Sequence, residues 1–581
     1  MSTPEDSQPT NEQLQTQLLE LSQRLEHRDL LVAELQAVNA KLHEQLTTVA
    51  EQIALLKKAL FGRRSERFTQ SPHQPLLFPI EPIAGDEQSP SAPADAAPPE
   101  LETGPRRRRR LKRKRFEFPQ FLAVTRIEHP LPPDQLACPC GCGDRVVIGE
   151  EIHKQLEVIA PSARVLEQVR FTYACPHCRQ GANVTTSPKP ANINEKGVFA
   201  PNTIGFLGQA KFERHLPVYR LQEEIQAASG MWFSRSVLCG ALIRAALGLR
   251  PLRDLIQGQL LRSFYLRIDE TTARVLRPGT GKTELVYLWV YVGDADFPYR
   301  LFDYQLERSR AGPREILGDY RGGILSDGHS AYSSLIAESQ GKLVDLGCWA
   351  HARRRFDEAL AVTSHAFAPE GLAWIRQLYD IEDRIKPASF AERLQVRQQE
   401  SRPILDQLHQ RMVEIRPALR PSSKLAEAIQ YPLNRWESMC RFVTDGRYAI
   451  DNNEAERGVR PSVIGRKNYL FFGSDRGGEA AAIWYTIVNS ARFNNLKVLP
   501  YLYDLLERVP QIVPEYLTTG DATRPFDCLR PDQVTALEQL LPDRWLQAHP
   551  EHRSDDRQRE LDDANDARRR NRARRRAAVN A

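Results

Sequence analysis

Between residues 14 and 60 apolar side chains return every 3.5 positions. One seam holds Leu14, Leu21, Arg28, Leu35, Leu42, Val49 and Leu56; the other holds Leu18, Leu25, Val32, Asn39, Leu46, Ile53 and Leu60. A repeat sustained this long, with two polar breaks, predicts a coiled coil over residues 11–62. Asn39 on a leucine-rich seam favours a parallel dimer. A single amphipathic helix packed on its own domain would carry the same stripe. Residues 69–115 lose all periodicity; Pro, Ala, Ser and acids dominate, and such a stretch reads as a flexible linker.

Helical spacing resumes over residues 200–248. "LPVYRLQEEIQAASG" precedes a turn at Gly230, and "MWFSRSVLCGALIRAALG" opens a second helix at Ser234 or Ser236. That is a helix-turn-helix pattern, with Ser234 and Arg235 at the entry of the second helix as candidate DNA contacts. A purely structural helix pair has the same pattern. From residue 264 the period shortens to that of strands: "FYLRIDETTARVL", "ELVYLWVYVGD" and "YRLFDYQLERS". "RGGILSDGHSAYSSLI" then runs from a short strand into a helix, and "GKLVDLGCWAHARRRFDEAL" repeats the step. Residues 357–445 are helical in pattern, and a further helix spans about Gly478 to Asn494. The expectation is a multidomain α/β chain. It has a core over 262–500 with an all-helical insertion at 357–445, a C-terminal helical region at 501–548 and a charged tail at 549–581.

Composition adds three constraints. The net charge of +6 is modest, but "RRRRRLKRKR" (Arg106–Arg115) and "RRRNRARRR" (Arg568–Arg576) concentrate it. Such blocks are usually solvated tails, and they also suit a polyanion such as nucleic acid. The N-terminus is polar, and no apolar run reaches membrane-spanning length, so no membrane role is expected. Five of nine Cys fall between Cys138 and Cys178. An odd total with one tight cluster points to a metal site in a reducing compartment. Within a zinc-binding region at 130–190, Cys175 and Cys178 form a C-x-x-C knuckle. Two of Cys138, Cys140 and Cys142 would complete a Cys₄ Zn²⁺ site; Cys138 and Cys142 are favoured because a one-residue spacer strains a shared tetrahedron.

Three strands, a helix, a fourth strand and further helices match a ribonuclease-H-like layer order. In that order acids fall on the first strand (Asp269), after the fourth (Asp327) and on a later helix within "DNNEAERG". Three carboxylates on adjacent elements can hold two hard divalent cations, Mg²⁺ or Mn²⁺, for in-line phosphoryl displacement. Each Asp also has a structural reading, as the cap of the element that follows it.

The chain resembles the transposases of insertion-sequence family 66, a branch of the Asp-Asp-Glu recombinases. "LFGRRSE", "RHLPVYRLQEEI", "DET", "GCWAHARRRF", "DGRYAIDNNEAERGVRP", "GRKNYLFFGS" and "LLPDRW" carry the resemblance along most of the sequence. It implies a catalytic triad of Asp269, Asp327 and Glu456, with Glu454 the rival two residues away. Asn452 and Asn453 would cap the helix presenting Glu456. His351, Arg354, Arg457, Arg460, Arg466 and Lys467 would meet DNA phosphates, with a solvated cationic face as the alternative. The resemblance further implies cleavage at the 3′ ends of an insertion sequence and strand transfer into target DNA. Terminal inverted repeats would be read by the zinc and helix-turn-helix regions, in a bacterial, cytoplasmic and nucleoid-associated protein. The coiled coil would make a homodimer, and small companion proteins of the same element are further candidate partners. A catalytically silent DNA-binding regulator, or a nuclease without strand transfer, are the competing functions.

Overall fold

The structure, a computed structural model, describes residues 27–29, 31–39, 118, 120, 122–141, 143–159, 162–175, 184–194, 197–277, 279–515, 528–555, 559 and 562. The other heptads, the 69–115 linker, Cys142, Cys178 and both arginine runs lie outside the described residues. The chain divides into two units, Met1–Phe116 with Ala361–Thr363 and Glu117–Leu360 with Ser364–Ala581. In the first, residues 27–29 and 31–39 are helical, and the seam residues Arg28, Val32, Leu35 and Asn39 are exposed.

The second unit opens with a small sheet of β1 (Val124–His129), β2 (Val146–Ile159), β3 (Ser162–Ala174) and β4 (Val184–Thr186). Strand β3 is its spine: β1 pairs with it in parallel, and β2 and β4 antiparallel. The far end of β2 is tied to the next element. Leu156, fully buried, accepts from Ala200 N and from Thr203 Oγ1 at 2.8 Å. Four helices follow: α1 (Pro201–Phe212), α2 (Val218–Ser229), α3 (Arg235–Gly248) and α4 (Arg250–Leu260). Gly230 closes α2 with φ 69°, a left-handed position that costs glycine little. Ser234 then caps α3 by accepting from Val237 N.

The central sheet has the order β7-β6-β5-β8-β9. Its strands are β5 (Tyr265–Leu276), β6 (Thr283–Val292), β7 (Arg300–Gln305), β8 (Gly322–Leu325) and β9 (Leu343–Leu346). The first three form an antiparallel meander; β8 and β9 add in parallel. Helices α5 (Ala311–Leu317) and α6 (Ser330–Glu338) make the two crossovers. Strand β6 is buried on both faces from Leu288 to Val292, which is why "LWVYV" runs apolar without alternation.

Helix α7 (Trp349–Leu360) leads into an insertion of α8 (Phe367–Ile385), α9 (Phe390–Val396), α10 (Arg402–Ile415), α11 (Lys424–Asn434) and α12 (Trp436–Cys440). These helices build their own apolar cluster around Trp349, Phe356, Ile375, Leu408 and Ile429. The chain then returns through α13 (Asn453–Tyr469), α14 (Asp475–Phe493) and α15 (Val498–Ile512). Helix α14 covers the exposed edge of the sheet. Thr486 Oγ1 accepts from Phe302 N at 2.9 Å and Ser490 Oγ from Arg300 N at 3.0 Å, so edge amides of β7 are satisfied by side chains. One continuous core joins Leu156 and Val165 of the small sheet, α1–α4, the central sheet, α14 and α15.

Asp303 on β7 gives a stability prediction remote from the acid site. Burial pushes its carboxyl up to about 6, partly opposed by Gln305 Nε2 at 2.8 Å. An unfolded Asp titrates near about 3.9. Between these values the native state holds more protons than the unfolded one, so this group's contribution falls as pH rises through the window. Asp303→Asn is expected to stabilise the protein by about 1–3 kcal/mol above pH ~6, with the gain gone near pH ~4. Melting curves of the two proteins across pH check this.

Candidate active site and zinc site

Parallel pairing of β5 with β8 sets Arg267 opposite Leu325. Two residues further along each chain stand Asp269 and Asp327. Side chains alternate with period two, so the matched offset puts both acids on the same side of neighbouring chain segments. Strands in a sheet lie about 4.8 Å apart, which makes the two acids near neighbours. Asp269 Oδ1 accepts from Glu270 N at 2.9 Å, and Asp327 Oδ1 from His329 N at 2.9 Å. Burial, then the charges of Glu270, Asp327 and, more weakly, Glu456, push the Asp269 carboxyl well above its ordinary range. A divalent cation would relieve that repulsion directly.

Helix α13 delivers the third acid. Arg354 Nη2 reaches both oxygens of Glu456, at 3.2 and 3.1 Å, and His351 Nε2 lies 3.8 Å from Oε1. Glu454 points elsewhere. It accepts from Arg300 Nη2 at 3.1 Å and from Arg457. Residues two apart on a helix face different ways; both glutamates are ion-paired, Glu454 with Arg300 and Arg457 and Glu456 with Arg354, but of the two it is the charge of Glu456 that reaches Asp269. The three carboxylates do not converge as closely as the cysteines described below: among the described residues only those sulfurs form a group of three with every pair within 4.8 Å. The donor set is nonetheless all hard oxygen, which fits Mg²⁺ or Mn²⁺.

Asn452 fixes the register between strand and helix. It is buried, and its Nδ2 donates to Ile268 O at 2.8 Å, next to Asp269. Its own amide donates to Cys348 Sγ at 3.2 Å, and Cys348 in turn lies 3.3 Å from His351 Nδ1. This corrects the capping expectation. Asn452 occupies the N-cap position without capping, and the entry amide at Asn453 N donates instead to Asp451 Oδ1 at 3.1 Å. No local sequence signal links partners 184 positions apart, as Asn452 and Ile268 are.

The insertion braces the site. Tyr431 hydroxyl donates to Asp327 O at 3.0 Å, and Tyr379 hydroxyl to Asp451 Oδ2 at 2.9 Å. Glu270, beside Asp269, accepts from Arg308 Nε at 2.7 Å and from Tyr332. Burial and the Arg354 charge lower the pKa of His351, opposed by Glu456 and Asp327.

The cations sort into two groups. Arg457, Arg460 and Lys467 are exposed. Arg466 is a correction to the phosphate-contact expectation: it is half-buried and latches α13 onto β5 through Thr271 Oγ1 at 3.0 Å, Thr272 Oγ1 at 2.9 Å and Thr272 O. On α3 and at its cap, Arg235 and Ser234 are exposed, with Arg235 Nε 3.3 Å from Gln222 Oε1.

The end of β3 brings Cys175 to the turn that follows β1. Cys138 N donates to Gly143 O, Gly141 N donates to Cys138 O, and Gly141 takes φ 72°. Sulfurs of Cys138 and Cys140 stand 2.9 Å apart, and those of Cys140 and Cys175 3.8 Å. The described residues therefore unite Cys138, Cys140 and Cys175, where the spacing argument had favoured Cys142 over Cys140. A positive-φ glycine directly after Cys140 lets the chain turn back there, and Cys142 and Cys178 lie outside the described residues. We expect one structural zinc per chain. Cys140→Ser and Cys175→Ser are expected to lose it, as read by metal analysis, together with local order in the small sheet.

The model of the family described as "Transposase IS66 family" matches residues 196–480. The "zinc-finger binding domain of transposase IS66" matches residues 135–179, and "Transposase C of IS166 homeodomain" residues 49–127. The chain belongs to the IS66 transposase family. Two relatives come from Sinorhizobium fredii. The uncharacterized protein y4qI is 31% identical over 521 residues, covering 87% of this chain and 93% of its own. The uncharacterized protein y4jD is 30% identical over 531 residues, covering 87% and 98%. Among the described residues no helix is long and apolar enough to cross a membrane.

Proposed function

We propose that the protein is a metal-dependent DNA transposase that cuts the 3′ ends of its insertion sequence and joins them to target DNA. The observation that carries this is that Asp269 on β5 and Asp327, two residues past the end of the paired strand β8, lie close enough to act on one another, with Glu456 acting on the same carboxyl. We read the 3-2-1-4-5 sheet as a ribonuclease-H-like core. Asp269, Asp327 and Glu456 would hold Mg²⁺ or Mn²⁺. When bound, such cations neutralise charge at the scissile phosphate and activate the attacking oxygen. Asn452 sets where Glu456 stands along Asp269's strand, and Arg354 and His351 fix its carboxylate from the outer side. Exposed Arg457, Arg460 and Lys467 grip the phosphates beside the cut. Ser234 and Arg235 sit where a recognition helix meets base edges, so α2 and α3 read the terminal repeats. The exposed apolar stripe at Val32 and Leu35 is covered by a second copy, pairing two protomers so that two ends are processed together.

Purified protein is expected to nick duplexes carrying the DNA that flanks its coding region, and to join the freed 3′-hydroxyl to a second duplex. Both products should need Mg²⁺ or Mn²⁺ and vanish with chelator. Nicking without joining would reduce the reading to a nuclease. DNA binding without either product, at any metal concentration, would make it a silent regulator.

A further inference from the structure

Helix α13 ends in a feature that folding does not explain. Its outer face runs Arg457, Arg460, Ile464 and Lys467, all exposed and spaced as one helical stripe. Arg460, Lys467 and, beyond the turn, Arg476 have no acidic partner among the described residues. At Leu470 the backbone takes φ 63° and ψ −47°, and Phe471 N donates to Tyr469 O at 2.7 Å. This is a γ-turn of the rare, strained hand, costly for a bulky residue. Strain of this kind persists only where the surroundings enforce it.

The surroundings do so on both sides. Tyr469 hydroxyl meets Tyr485 hydroxyl, and Lys211 Nζ lies 4.1 Å from the Tyr469 ring. Phe472 is buried and joined to β5 by two bonds of 2.8 Å, Phe472 N to Arg274 O and Leu276 N to Phe472 O. Between these anchors Leu470 is 65% exposed and Phe471 42%. Two large apolar side chains are thus held out on a rigid mount, beside cations without acidic partners. A surface that is cationic around an apolar tip complements a partner that is anionic outside and apolar inside, and a DNA duplex is such a partner.

We propose that Leu470 and Phe471 form a wedge that enters the base stack of the DNA end being cut. The inference rests on the reading of Glu456 as a catalytic acid, because that residue fixes where the scissile phosphate lies. Leu470 stands fourteen positions beyond Glu456, directly past the helix end at Tyr469. At about 1.5 Å per residue this is roughly 21 Å. With the duplex axis taken along α13, at about 3.4 Å per base step the wedge meets the duplex roughly six steps from the cut.

The test uses the full chain without added Mg²⁺ and duplexes carrying the flanking DNA of its coding region. 2-Aminopurine, which brightens when unstacked, is placed at successive positions. The wild-type protein is expected to raise fluorescence most near the sixth step. The double variant Leu470→Ala, Phe471→Ala should lose the rise while shifting the melting temperature little, since neither side chain belongs to the buried core. Phe471→Trp should keep the rise. A rise unchanged in the double variant, or none at any position with wild type, overturns the wedge. An equal rise on an unrelated duplex would assign the wedge to target DNA and overturn the assignment to the cut end. The chemistry is read separately by adding Mg²⁺: cutting without a rise sinks only the wedge, and a rise without cutting sinks only the transposase reading.

Discussion

Glu456→Gln is expected to lower 3′-end cutting by about 10²–10³-fold, the scale seen when one preorganised electrostatic group is removed from a reaction centre. The amide keeps the shape and its contact with His351 but removes the charge that acts on Asp269 and faces Arg354. Glu454→Gln should behave oppositely. It removes the carboxylate charge that accepts from Arg300 Nη2, whose guanidinium lies 4.4 Å from the Phe493 ring. The expected cost is about 1–3 kcal/mol of stability with cutting largely retained. Gel assays on end-labelled duplexes, with denaturation curves of both variants, separate the two outcomes. Full cutting by Glu456→Gln together with loss in Glu454→Gln would reverse the assignment.

Trp484→Ala should be the most damaging single truncation in the large core, at about 3–5 kcal/mol. The side chain is fully buried on α14, stacks on Phe212 at 5.7 Å and donates from Nε1 to Leu242 O at 3.0 Å. Helix α1 approaches it so closely that a Cβ at Gly208 would lie 2.6 Å from the indole. Trp484→Phe keeps most of the volume and loses the hydrogen bond to Leu242 O, a carbonyl that lies within α3, so its cost should be nearer about 1 kcal/mol. A shift in the denaturant midpoint at unchanged slope is the readout.

Much of the central sheet was legible because its signals are local. Alternation and β-branched runs mark β5 and β7, and "ILSDGH" marks a strand end by its turn residues. The placement of Asp269 beside Asp327 was not local, but a parallel crossover between two recognisable strands implies it. What stayed hidden was fixed by distant partners. Nothing near Asn452 announces a bond to Ile268, and nothing in "GRKN" shows that Arg466 turns inward while Lys467 stays out. The small sheet is less legible: β2 and β3 span most of residues 146–174, but charged residues such as Glu150, Glu151 and Lys154 interrupt the apolar pattern of β2. The γ-turn at Leu470 could not be seen at all, since leucine carries no preference for positive φ.

The continuous core has a consequence for how this family can diversify. Helices α1–α4 are not tethered beside the central sheet; Trp484, Leu242 and Leu156 belong to the same packed interior. A helical region built this way cannot be traded between relatives as a cassette, because each exchange would cut through close-packed side chains. If α2 and α3 read DNA as proposed, new preferences must accumulate by point changes on their outward residues, leaving their inner faces untouched. Chimeras joined near residue 262 should be insoluble, whereas grafts of exposed α3 residues alone should fold.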